Sequence, residues 1–126
     1  MPNFNDVCKK LKLDLKKKNY SIILQHSDTY RQSKSYEDMK NILKTIKILN
    51  IPSIVIYPCS DPGYLGIIKS IKEFAKAEIF NIFKSVEYMD YLCLLKNSSF
   101  LIGNSSSGII EAPYFKTPFL NVGLRQ

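Results

Sequence analysis

The stretch Gly103-Asn-Ser-Ser-Ser-Gly108 sets three consecutive hydroxyls between small residues. Small residues let a backbone come close to a ligand, and a loop that opens a helix turns unpaired N–H groups toward an anion. The stretch is neither GxxxxGK[ST] nor GxGxxG, so phosphate binding and a plain turn with an N-cap stand level on these residues alone. Glu111 is expected within the first turn of the following helix. Its carboxylate suits either compensation of the helix dipole or acceptance of hydrogen bonds from two ribose hydroxyls. Arg125 is either a guanidinium brought to the same region or a solvated side chain near the C-terminus. His26, the one histidine of the chain, has structural and catalytic readings of equal weight. Asp61, in the sharp turn Pro58-Cys-Ser-Asp-Pro-Gly63, either binds a ligand or stabilises its own turn. Ser27, Asp28 and Tyr30 are polar neighbours without an assignment.

These residues need a scaffold, and the apolar pattern supplies one. Short apolar runs at Tyr20–Leu24, Ser53–Tyr57, Ile79–Phe83, Phe100–Ile102 and Phe119–Val122 read as strands; the third, interrupted by Asn81, is the weakest. Helical spacing marks residues 5–16, 35–49, 64–76, 87–97 and 108–114. In the second of these helices Met39, Ile42, Leu43, Ile46 and Leu49 recur at helical intervals, and Ser35 with Asp38 resembles a capping box. In the first, Val7, Leu11 and Leu13 form the side expected to be buried. Continuous apolar strands separated by helices predict a parallel sheet covered on both faces. The fold class is therefore α/β, a Rossmann-like, doubly wound parallel sheet of about five strands. Ligands of such sheets bind at the carboxyl ends of the strands. Here the loops at that edge begin at His26, Pro58, Lys84, Gly103 and Gly123.

With 126 residues, 45% hydrophobic and 23% charged, the chain fits one globular domain with one core. No apolar run approaches the roughly 18 residues of a membrane span, and the polar N-terminus is unlike a signal peptide. Three cysteines at wide spacings exclude an ordinary zinc site and a disulfide framework, which points to a reduced, cytoplasmic protein. The net charge of +7 comes from lysines at 9, 10, 12 and 16–18 and at 40, 44 and 47, against only Arg31 and Arg125 among arginines. Solvated helix faces account for it better than a nucleic-acid surface, which mixes arginine and aromatics into the basic face.

Taken together, the loops resemble those of the hydrolysing UDP-N-acetylglucosamine 2-epimerases, sialic acid pathway enzymes that release N-acetylmannosamine and UDP. The resemblance rests first on Phe100-Leu-Ile-Gly-Asn-Ser-Ser-Ser-Gly-Ile-Ile-Glu-Ala-Pro-Tyr-Phe-Lys-Thr-Pro-Phe-Leu-Asn-Val-Gly-Leu-Arg-Gln126. The family pattern is IGNSS-x-G-x-x-E, an aromatic residue, TP and N-[LV]-G-x-RQ, with the same separations. The likeness runs back through Tyr57-Pro-Cys-Ser-Asp-Pro-Gly63 to Ile23-Leu-Gln-His26.

The resemblance implies a GT-B-type fold of two Rossmann-like halves with the UDP-sugar between them. Residues 1–126 would form the UDP-binding C-terminal half, truncated, with the N-terminal half missing and the isolated piece inactive. It further implies that Ser105 and Ser106 hold the diphosphate, Glu111 the ribose hydroxyls and Arg125 the nucleotide site. Val86 would lie against uracil, Asp61 remains a substrate-binding candidate, and His26 would be catalytic, facing the diphosphate and the sugar. The implied partners are UDP, UDP-N-acetylglucosamine, the other half of the enzyme and a possible second copy of the protein. No cofactor, metal, nucleic acid or membrane is called for. Two departures stand out, Cys59 where relatives often carry asparagine and Ser27 where they often carry proline. The alternatives are a non-hydrolysing epimerase, whose loop is of SDSGG type, the donor half of a GT-B glycosyltransferase, and a non-enzymatic basic Rossmann-like module.

Overall fold

Apolar runs too short for helices fix the centre of the molecule as strands. In the computed structural model, which describes residues 1–123, these are Ser21–Leu24 (β1), Ser53–Ile56 (β2), Phe80–Phe83 (β3), Phe100–Gly103 (β4) and Phe119–Asn121 (β5). All pair in parallel, in the order β3-β2-β1-β4-β5. The helices are Phe4–Leu11 (α1), Ser35–Leu49 (α2), Tyr64–Phe74 (α3), Tyr88–Lys96 (α4) and Ser107–Tyr114 (α5).

The two-residue period of a strand sends alternate side chains to opposite faces. On one face, Ile22, Leu24, Ile54, Ile56 and Leu101 meet Val7 of α1, Leu94 of α4 and Ala112 of α5. On the other, Ile23, Val55 and Ile102 meet Met39, Ile42 and Leu43 of α2 and Ile67 and Ile71 of α3. Both faces are therefore sealed, which is why β1 and β2 are buried along their whole length. The edge strands are not, and Ile82 of β3 and Leu120 of β5 lie exposed. Asn81 fits its strand because its carboxamide Nδ2 donates to the Ser53 carbonyl at 3.2 Å. The fold is the expected α/β, Rossmann-like parallel sheet.

Three local expectations need correction. The first helix was expected over 5–16 but stops at Leu11, because Lys12 adopts a left-handed conformation (φ 58°) and caps it. Leu13 is still buried, on the turn that follows. The Ser35–Asp38 capping box is not formed. A 3₁₀ turn, Gln32–Lys34, leads into α2, Ser35 Oγ pairs with Ser27 Oγ at 3.0 Å, and Asp38 takes Arg31 at 3.3 Å. Glu111 falls outside the first turn of α5, which opens at Ser107 and carries no acid there.

Strand order decides where a site can form. The chain moves from β1 to β2 and β3 on one side, then returns to place β4 on the other side of β1. The crevice beyond the carboxyl ends of β1 and β4 is the switch point at which such sheets bind ligands.

Candidate functional site

Gly103 ends β4 with φ 145°, and a Cβ there would meet the Leu24 carbonyl oxygen at 2.0 Å. Only glycine permits this close passage of β4 by β1. Asn104 follows, fully buried, and its carboxamide closes on the backbone of His26. His26 N–H donates to Asn104 Oδ1 at 2.6 Å, and Asn104 Nδ2 donates to the His26 carbonyl at 2.8 Å. One side chain thus locks together the two loops that flank the switch point. Asn104 has no assigned role in the sequence taken alone. Its signal was an amide side chain directly after a strand, able to donate and accept at once.

The serine loop turns directly into α5. Ser107 N–H donates to Ser105 Oγ at 3.2 Å, Gly108 N–H to the Ser105 carbonyl at 3.0 Å and Ile109 N–H to the Ser106 carbonyl at 3.0 Å. Among the described residues, no acceptor faces the N–H groups of Ser105 and Ser106. These two amides and the Ser105 and Ser106 hydroxyls are the donors available to an anion. Helix N-terminal amides beyond them are already committed.

An open cavity of about 250 Å³ lies against this loop. Ser105, Ser106 and Ser107 line one side, and Glu111 lines it from the second turn of α5. Val86, Tyr88 and Tyr91 line it as well, with Leu24 and Ile56 contributed by the ends of β1 and β2. A lining that combines apolar and aromatic groups with hydroxyls, amides and a carboxylate suits a ligand with a flat ring, polar hydroxyls and an anionic group. Burial pushes the Tyr91 phenol up to about 12, with the Glu111 carboxylate adding to the rise and the hydrogen bond to Ser107 opposing it. Tyr91 is therefore a neutral phenol at physiological pH.

His26 and Asp61 do not line this cavity. They meet at the adjoining edge around a residue the sequence reading left without a role, Cys59. The Cys59 N–H donates to His26 Nδ1 at 3.1 Å, and the thiol lies 3.2 Å from the same nitrogen and 3.1 Å from Asp61 Oδ2. Because Nδ1 accepts from a backbone amide, the neutral ring carries its proton on Nε2. The turn that holds Cys59 is fastened to the β1 loop by Ser27 Oγ, which donates to the Pro62 carbonyl. The structure thus gathers Val86, Ser105, Ser106 and Glu111 in one cavity and His26 with Asp61 beside it. Arg125 lies outside the described residues.

A family model described as UDP-N-acetylglucosamine 2-epimerase matches residues 2–126. The chain belongs to this epimerase family. Among its relatives is the UDP-N-acetylglucosamine 2-epimerase of Neisseria meningitidis serogroup B, 32% identical over 108 residues, which are 86% of this chain and 28% of that protein. Another is the GDP/UDP-N,N'-diacetylbacillosamine 2-epimerase (hydrolyzing) of Campylobacter jejuni, 32% identical over 127 residues, covering 98% of this chain and 33% of that protein. The chain therefore spans about a third of the length of these relatives.

Solved structures agree on the fold. A Staphylococcus aureus MnaA–UDP co-structure superposes with a TM-score of 0.65 at 15% identity, over 94% of this chain and 32% of that one. The Methanocaldococcus jannaschii UDP-GlcNAc 2-epimerase in complex with UDP-GlcNAc and UDP gives 0.59 at 20% identity, over 92% and 32%. The epimerase-family chain is thus one Rossmann-like unit of the kind found in GT-B-type epimerases.

Proposed function

We propose that this domain binds the UDP moiety of UDP-N-acetylglucosamine in a hydrolysing 2-epimerase that yields N-acetylmannosamine and UDP. The observation that carries the reading is the shared cavity of Val86, Ser105, Ser106 and Glu111. Ser105 and Ser106 donate to the diphosphate through their hydroxyls and amides, Glu111 accepts from the ribose hydroxyls, and uracil lies against Val86. Arg125 adds positive charge to the nucleotide site, and Asp61 steadies the histidine edge and contacts the substrate. His26, with its proton on Nε2, faces the diphosphate and the sugar and donates to the leaving phosphate oxygen.

In the reaction a base removes the proton from C2 of the sugar as the C1–O bond breaks, and UDP departs with the bonding pair. Water then adds at C1 of the glycal while a proton is delivered to C2 from the opposite face. Groups acting at C1 and C2 belong, in this reading, to a second Rossmann-like half of the enzyme. The hydrolysing outcome is favoured by the Asn104-Ser105-Ser106 loop and by a hydrolysing relative at 32% identity.

Calorimetric titration with UDP and with an oligonucleotide tests the reading. UDP is expected to bind and the oligonucleotide not to. A charge-assisted hydrogen bond contributes about 1.5–3 kcal/mol, so Glu111→Ala should weaken UDP binding roughly tenfold or more. Ser105→Ala should cost less, because the loop amides remain. Unchanged UDP affinity in the Glu111→Ala chain would sink the assignment.

A further inference from the structure

Behind the serine loop, two buried hydroxyls meet across the junction of α4 and α5. Tyr91 Oη lies 2.6 Å from Ser107 Oγ, with Tyr91 7% and Ser107 5% exposed. Ser107 in turn donates its backbone N–H to Ser105 Oγ at 3.2 Å. A continuous path of hydrogen bonds therefore runs from the aromatic wall of the cavity to the first serine of the loop.

We infer that Tyr91 is a positioning residue for anion binding, acting through Ser107 to preset Ser105. The inference rests on the nucleotide-binding reading above. Its physical content lies in which groups are already committed to each other. Ser105 Oγ already accepts the Ser107 amide, which leaves the Ser105 O–H as a donor for an oxyanion. Ser107 Oγ is held by the phenol and does not compete for the ligand. The phenol is a dependable anchor because it stays neutral across the physiological range and its ring is fixed in the core between α4 and α5. Without the Tyr91 hydroxyl, Ser107 would be free to turn toward Ser105 or the ligand. The loop would then have to be ordered at the moment of binding instead of beforehand.

The test uses the whole chain, with UDP and uridine as paired probes and the melting temperature recorded for each variant. Tyr91→Phe keeps the ring and removes the hydroxyl, and Ser107→Ala removes the other end of the contact. Each is expected to weaken UDP binding about fivefold, the worth of one hydrogen bond, and to weaken uridine binding distinctly less. The double variant should be no weaker than either single one, since both remove the same link. A general loss of packing would lower both affinities together, so a parallel fall for uridine overturns the inference. Unchanged UDP affinity in Tyr91→Phe, or additive losses in the double variant, overturns it as well. If the unaltered chain fails to bind UDP, the nucleotide-binding reading itself is lost. That outcome is distinct from a wild-type chain that binds UDP and a Tyr91→Phe chain that binds it equally.

Discussion

Asn104 shows how much a single side chain holds at the binding edge. Its carboxamide satisfies both the N–H and the carbonyl of His26, and it is fully buried. A buried polar group left without a partner costs about 1–3 kcal/mol. Asn104→Ala should therefore lower stability by about 2–4 kcal/mol in urea unfolding, and Asn104→Asp, which buries a carboxylate against the His26 carbonyl, should cost at least as much. An Asn104→Ala chain as stable as the parent would show that water replaces the clamp. Cys59 is a residue-scale departure from the family pattern, and the structure gives it a definite place: its amide, through His26 Nδ1, fixes which ring nitrogen carries the proton.

At the scale of elements, the joints between strands and helices carry the strictest demands. A Cβ at Gly103 would meet backbone, the Leu24 carbonyl at 2.0 Å, in a φ region closed to other residues. A Cβ at Gly108 would meet the Phe119 ring at 2.4 Å, a side chain able to shift. Gly103→Ala is thus expected to cost at least about 3 kcal/mol, and Gly108→Ala about 1–3 kcal/mol. The reverse order in thermal unfolding would contradict this account of the β1–β4 contact. The α4 helix adds a pH dependence. Tyr91 titrates at about 12 in the fold against an ordinary value of 10.0. Above pH 10 the unfolded chain loses this proton while the fold keeps it, so stability falls as pH rises. Below pH 10 the group contributes no slope. The unfolding free energy from denaturant titration should be flat in this respect up to pH 10 and drop by about 2–3 kcal/mol toward pH 12. In Tyr91→Phe the drop should be smaller, with Tyr20, which burial also pushes up, still contributing.

At the scale of the whole molecule, the sheet is sealed on both faces, and in the proposed reading the chain supplies one wall of the nucleotide cleft. In that reading the acid–base groups for C1 and C2 come from another part of the enzyme, and positioning supplies much of an enzyme's rate. The 126-residue chain alone is accordingly expected to release no N-acetylmannosamine from UDP-N-acetylglucosamine, even under conditions where it binds UDP. Detectable turnover by the purified chain would require the catalytic groups to lie within these residues.

The sequence by itself determined the α/β class and the order of strands and helices, and it marked the loops that are proposed to hold a ligand. Runs such as Ile22–Leu24 and Ile54–Ile56 announce burial on both faces, and the spacing of Met39, Ile42, Leu43 and Ile46 announces one helical stripe. That the serine loop opens a helix was legible because its spacing is local, while Glu111 came to lie one turn further along that helix than expected. Only the tertiary structure placed β1 between β2 and β4 and so brought His26 to Asn104, 78 positions away along the chain. Two strands that are apolar on both faces carry no mark of their neighbours, since hydrophobic burial is non-directional. The same reason hid the Tyr91–Ser107 contact and the meeting of Cys59 with His26, and it left the Ser35 hydroxyl to be claimed by Ser27 instead of a helix cap. Local pattern chose the parts, and long-range packing, which no short window of sequence encodes, chose their partners.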